Sequence, residues 1–191
     1  MSPRSKEQFE EIRNDRKDQL LDAALHVFAE EGYHSASVSR IAKRAGVSKG
    51  LMYNYFQSKE EVLLTLVRDL FDYVMKVLKI EPDEAFTQAR FEEIIALSID
   101  VPKNEPKRWK LYMSLAFQAE VAELLMQEMA PRFGGYMQSM SQYFQNKGYE
   151  DPVAAMRIFS ALLDGVQMHY LLDPKGFPAE KAKQFLIKQF A

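Results

Sequence analysis

The chain has 191 residues and a formal net charge of −2, with 47% apolar and 27% charged residues. That length holds one domain or two small ones with a core that needs no staples, and that balance argues against a disordered chain. Cysteine is absent, which excludes disulfides, zinc fingers and thiol chemistry. No apolar run reaches the roughly 18 residues of a membrane helix, and the polar start Met1–Glu7 lacks the apolar stretch of a signal peptide. No membrane partner is expected, and the expected location is the cytoplasm.

Apolar residues recur at helical spacing and alternating strand patterns are scarce, so the expected fold is all-α, with about nine helices. The first runs from about Asn14 to Glu31. Leu20, Leu21, Ala24, Val27 and Phe28 form its inward stripe, and Gly32 ends it. Ser37 caps a second helix through Val38, Ile41 and Ala42 to Ala45, and Gly46 stops it. Ser48 caps a short third helix over about Lys49–Phe56. Ser58 and Glu61 have capping-box spacing and open a long fourth helix, 59–79. Glu81-Pro82 then breaks the chain. Further helices are expected at about 83–99, 105–119, 121–146, 152–172 and 178–190, with Pro131 and Gly134-Gly135 able to kink or split the 121–146 segment.

The mean charge hides a split. Residues 1–60 carry 10 basic and 9 acidic side chains, whereas residues 37–59 contain Arg40, Lys43, Arg44, Lys49 and Lys59 and no acid. A local basic patch is what a phosphate backbone responds to. Within that window, Ala45-Gly46-Val47-Ser48 joins two short helices. Gly46 can take positive φ, Val47 can plug the gap between the helices, and Ser48 can cap the second. The unit is a helix-turn-helix, whose second helix enters the major groove.

The stretch Ala23-Ala24…Phe28…Gly32-Tyr33…Ser37-Val38…Ile41-Ala42…Ala45-Gly46-Val47-Ser48-Lys49-Gly50…Tyr53…Tyr55-Phe56…Ser58-Lys59-Glu60…Leu63 resembles the N-terminal domain of the TetR family of transcriptional regulators. The resemblance covers residues 14–64 and implies a DNA-binding domain at 1–58 and a helical effector-binding and dimerisation domain at 59–191, linked by helix 59–79.

Side-chain chemistry assigns roles on the DNA side. Lys49, at the start of the recognition helix, can donate to guanine or phosphate. Asn54 can read adenine, and Leu51 can meet a thymine methyl. Gly50 lets the backbone come close. Tyr53 falls on the family's phosphate-contacting tyrosine, and Tyr55 completes the groove-facing set. Ser37, Ser48 and Lys59 offer hydroxyls, amides and a cation to phosphate near helix N-termini. Arg4, Lys6, Arg13, Arg16 and Lys17 form a weaker candidate arm, diluted by nearby acids.

The resemblance further implies a small apolar or amphipathic effector and a homodimer. Phe91, Trp109, Tyr112, Met113, Phe117, Met137 and His169 are the candidate pocket lining, from a Met- and aromatic-rich region whose soft side chains suit irregular ligands. Met156, Phe159, Ser160, Leu163, Val166, Gln167 and Tyr170, with Phe185 and Phe190, are the candidate dimer seam. Gly165 within that helix can allow close helix approach. Three histidines and no phosphate loop, HExxH or G-x-S-x-G run leave no candidate catalytic or metal site, and no cofactor is expected. The expected function is a repressor released from a palindromic DNA operator by its effector. The alternative is a ligand-binding dimer of the same fold that activates transcription or has lost DNA binding.

Overall fold

The computed structural model describes residues 6–81 and 84–191. The expected cations Arg4 and Lys6, the latter in its side chain, and the break at Pro82 lie outside what is described. Among the described residues there are nine α-helices and no strand: α1 Lys6–Glu31, α2 Val38–Arg44, α3 Lys49–Tyr53, α4 Lys59–Leu78, α5 Gln88–Asn104, α6 Pro106–Ala116, α7 Ala119–Asn146, α8 Pro152–Leu172 and α9 Ala179–Phe190.

The helices form two compact units. One is the chain up to Leu70 together with Leu111–Met126; the other is Phe71–Lys110 with Gln127–Ala191. The division therefore falls inside α4, α6 and α7. In the first unit the expected stripe of α1 is buried: Leu20, Leu21, Ala24, Val27 and Phe28 join Ile41, Ala42, Met52, Phe56, Val62, Leu63 and Leu66 in one core. The helix itself begins about two turns earlier than expected. Those added turns expose Phe9 and Ile12, so no buried stripe marks them, and good helix formers such as Lys, Glu and Gln carry them instead.

The core of the second unit is aromatic. Phe91 lies at its centre, stacked on Tyr143 at 4.4 Å and edge-on to Phe144 at 5.5 Å. Met156, Phe159, Leu186 and Phe190 fill the space around them. α5 starts at Gln88, later than expected, because Thr87 caps it by accepting the Arg90 N–H at 3.2 Å. Asp151 caps α8 through the Ala154 N–H, with Pro152 at the first helical position, where its missing N–H costs nothing. α7 is one continuous helix through Pro131, Gly134 and Gly135.

α5 runs past its expected end near residue 99 to Asn104, with Pro102 inside the last turn. Proline has no N–H, so the carbonyl four residues earlier, that of Ser98, loses its helical donor. The side-chain amide of Gln167 on α8 donates to this carbonyl at 2.9 Å, and the bond is buried. Gln167, expected in a dimer seam, is thus used inside the protomer. Leaving a buried carbonyl unpaired costs about 1–3 kcal/mol. Gln167→Leu is expected to lower stability by about that amount in a urea titration. Pro102→Ala in the same background restores an N–H for Ser98 and is expected to recover part of the loss.

Candidate nucleic-acid interface

Two caps build the helix-turn-helix. Ser37 Oγ accepts the Arg40 N–H at 3.3 Å to start α2, and Ser48 Oγ accepts the Leu51 N–H at 3.1 Å to start α3. Between them Gly46 takes φ +68°, in the left-handed region that glycine enters without strain. The following Val47 N–H bonds back to the Ala42 carbonyl at 2.9 Å. Met52 and Phe56 are buried beneath α3, so the opposite side is fixed outward.

That outer side carries most of the expected DNA residues. Lys49, Gly50, Tyr53 and Asn54 are exposed, while Leu51 and Tyr55 are half-buried. Tyr53 is 47% exposed, with the Lys49 ammonium 5.8 Å from its ring centre. Asn54 is not within the helix: α3 ends at Tyr53 and Asn54 is its C-cap. Tyr55 lies beside α1, with the Arg13 guanidinium 5.9 Å from its ring. A Cβ on Gly50 would meet only Ser48 Oγ, at an ordinary 3.9 Å. The protein's own packing therefore does not demand glycine there.

The basic window is thinned by its neighbours. Arg40 pairs with Glu31 at 2.6 Å, and Arg44 makes a two-pronged contact with Glu30 at 2.6 and 3.0 Å. The Arg44 guanidinium holds the Glu30 carboxyl below the usual carboxylate range. Both acids belong to α1, so a window free of acids in sequence is not free of them in space. Lys59 is also committed. Its ammonium donates to the Tyr33 and His34 carbonyls at 2.7 and 3.1 Å and lies 4.4 Å from the Tyr33 ring centre. It is a strut for the α1–α2 turn rather than a cation held open for phosphate. Ser58 caps α4 as expected, through the Glu61 N–H at 3.0 Å, but the Glu61 carboxylate returns to the Gln57 N–H rather than to the cap residue.

The expected pocket residues scatter. Phe91 is core, and Met137 packs against that core. Phe117 is 76% exposed, and His169 is an exposed side chain stacked on Phe177 at 6.0 Å, so neither lines an interior cavity. Trp109 and Tyr112 are buried and Met113 is half-buried. Trp109, 8% exposed, has an indole N–H with no hydrogen-bond partner among the described residues.

The expected dimer seam is largely the protomer's own core: Met156, Phe159, Gln167 and Phe190 are buried, while Ser160, Leu163, Val166 and Tyr170 are half-buried. The exposed apolar face of α8 is the adjacent one, formed by Ile158, Leu162, Met168 and Leu172, and Phe185 is exposed on α9. Core and surface stripes both repeat at three and four residues on a helix with so few charges, so spacing alone did not separate them. No helix among the described residues is long and apolar enough to cross a membrane.

Residues 20–66 match the family model described as bacterial regulatory proteins, tetR family. The chain is 30% identical over 175 residues to the HTH-type transcriptional regulator BetI of Vibrio vulnificus, spanning 88% of this chain and 87% of that one. Its fold is similar to that of a tetR family transcription regulator from Shewanella sp. PV-4, with TM-score 0.75, 19% identity and coverage of 92% and 95%. It is also similar to that of a transcriptional regulator from Saccharomonospora viridis solved in complex with choline, with TM-score 0.60, 20% identity and coverage of 92% and 95%. With a helix-turn-helix whose outer face is polar and open, and with relatives that are regulators of transcription rather than enzymes, the chain belongs to the TetR family as a DNA-binding transcriptional regulator.

Proposed function

We propose that the protein is a homodimeric repressor that leaves a two-fold symmetric operator when a small molecule binds its second unit. The observation that carries the DNA half is the division of α3. Met52 faces the core, while Lys49, Gly50 and Tyr53 face solvent from a helix too short to have another use for them. In a dimer, two such helices read half-sites about 34–36 Å apart. Lys49 supplies the base or phosphate donor, Tyr53 a phosphate contact, and Gly50 the close backbone approach. Ser37, Ser48, Leu51, Asn54 and Tyr55 complete this face.

The dimer rests on the exposed face of α8. Ile158, Leu162, Gly165, Met168 and Leu172 recur at three and four residues, and a Cβ on Gly165 would meet nothing within the protomer. A second copy of the same helix is the partner that uses both the apolar side chains and the missing Cβ.

The effector half rests on Trp109. An indole N–H only donates, and burying one unpaired costs about 1–3 kcal/mol. An occupant with an oxygen acceptor on a largely apolar body removes that cost; a regulator of the same fold holding choline is a precedent for a small-molecule occupant. Release then follows if the effector favours a state in which α4 sets the two heads at the wrong separation. Moving the equilibrium from 1:99 to 99:1 needs about 5.5 kcal/mol of such preference.

Selection from a randomised duplex pool at ~150 mM salt, where nonspecific attraction is weak, is expected to return a two-fold symmetric site. Recovery of no motif by a folded dimer removes the reading and leaves an effector-requiring activator or a ligand-binding protein. On the selected site Lys49→Ala is expected to cost about 1–3 kcal/mol in a filter-binding titration. Gly50→Ala is expected to raise the stability of the free protein by up to about 1 kcal/mol while lowering operator affinity. Leu162→Glu is expected to give a folded monomer in sedimentation, because this side chain is exposed in the protomer. Since Trp109 is the one tryptophan, its emission is expected to shift with any compound that also releases DNA, and Trp109→Phe is expected to weaken that compound's binding.

A further inference from the structure

The first unit contains more than the helix-turn-helix. It includes Leu111–Met126, which spans the end of α6, the α6–α7 junction and the start of α7. The contacts of this stretch converge on the end of α1 and the turn that follows. A helix cannot satisfy its own last four carbonyls. At the end of α1 two of them are served from this stretch: Gln118 Nε2 donates to the Phe28 carbonyl at 2.9 Å, and Ser114 Oγ donates to the Ala29 carbonyl at 3.3 Å.

The same Gln118 amide also takes hold of the turn. Its Oε1 accepts the Tyr33 N–H at 2.6 Å, just after Gly32, which leaves the helix with φ +84°. Next along the turn, His34 Nδ1 lies 3.4 Å from Glu120 Oε1. On the α4 side Lys59 holds the carbonyls of the same two turn residues, Tyr33 and His34. The turn from which α2 and then α3 depart is thus fixed both from α4 and from the α6–α7 junction. An amide is the group suited to this position, because one end must donate and the other accept. α6 and α7 continue by chain connectivity to Trp109 and to the second unit's core.

We infer that Gln118 is a positioning residue for DNA binding, and that the α6–α7 junction is a second route, beside α4, by which the state of the effector-binding part sets the recognition helix. This rests on the reading of the chain as a DNA-binding regulator. Because coupling between sites is reciprocal, DNA binding must then be felt on the α6 side. That allows a test without any effector, on the full-length dimer, with the selected operator duplex and a scrambled duplex as control.

Three quantities are read for wild type, Gln118→Ala and Gln118→Glu: operator affinity by fluorescence anisotropy, the change in Trp109 emission when operator is added, and amide exchange at residues 28–36. Gln118→Ala is expected to lose operator affinity by about tenfold, within the range usual for coupled sites, and to lose most of the Trp109 response and the protection of the Tyr33 amide. Its melting temperature is expected to stay within a few degrees of wild type, as for a loss of one or two partly exposed hydrogen bonds. Gln118→Glu keeps the acceptor for Tyr33 but not the donor for Phe28, and is expected to retain Tyr33 protection with intermediate affinity. A Gln118→Ala dimer that binds operator as wild type does, with the same Trp109 response, overturns the inference and leaves the regulator reading intact. So does a variant whose melting temperature alone falls. A wild-type dimer that binds no duplex in the absence of effector overturns the proposed repressor reading, and the inference with it.

Discussion

A five-residue helix has no stability of its own in water, since nucleation costs more than one turn of hydrogen bonds returns. α3 persists because Ser48 caps it, Gly46 turns the chain into it, and Met52 and Phe56 anchor it from below. Its outward side chains inherit their direction from those anchors. Function here therefore depends on packing: the core under α3 decides which residues can meet DNA.

The same need, to give every backbone group a partner, recurs at the helix ends of the rest of the protein. Gln167 supplies the donor that Pro102 removes from Ser98. Gln118 and Ser114 serve the end of α1. At the end of α4, Arg90 donates to the Leu78 and Lys79 carbonyls at 2.7 and 2.6 Å, next to Lys79, whose φ of +52° is rare for a residue with a Cβ. Glu84 and Glu93 hold Arg90 in place and raise its pKa against the opposing effect of burial. In each case a side chain from outside the helix completes a carbonyl that the helix itself leaves unpaired, adding a directional tie to the apolar contacts.

Charge shows how neighbours in space revise what neighbours in sequence imply. Five cations in an acid-free window suggest a broad basic face. Two of them are paired to Glu30 and Glu31 of α1, and a third is held by the Tyr33 and His34 carbonyls. Of the five, that leaves the exposed Lys43 and the exposed Lys49, and only Lys49 stands on α3. Specific placement, not total charge, is what a major-groove reader needs.

The sequence by itself determined the all-α class, the buried stripe of α1, the three serine caps and the helix-turn-helix with its exposed Lys49, Gly50 and Tyr53. These are local: a cap, a glycine turn and a three-four repeat act within about one or two helical turns, so their chemistry can be read along the chain. Tertiary structure decided the rest. It turned Met156, Phe159 and Phe190 into core and left Ile158, Leu162 and Leu172 outside, because two stripes on one apolar helix have the same period and only the neighbouring helices choose between them. It assigned Gln167 to Ser98, Gln118 to Phe28 and Tyr33, and Lys59 to the α1–α2 turn. Three of these four contacts join residues 69 to 90 positions apart. A hydrogen bond acts over about 3 Å, so which distant partner completes it is decided only when the helices come together.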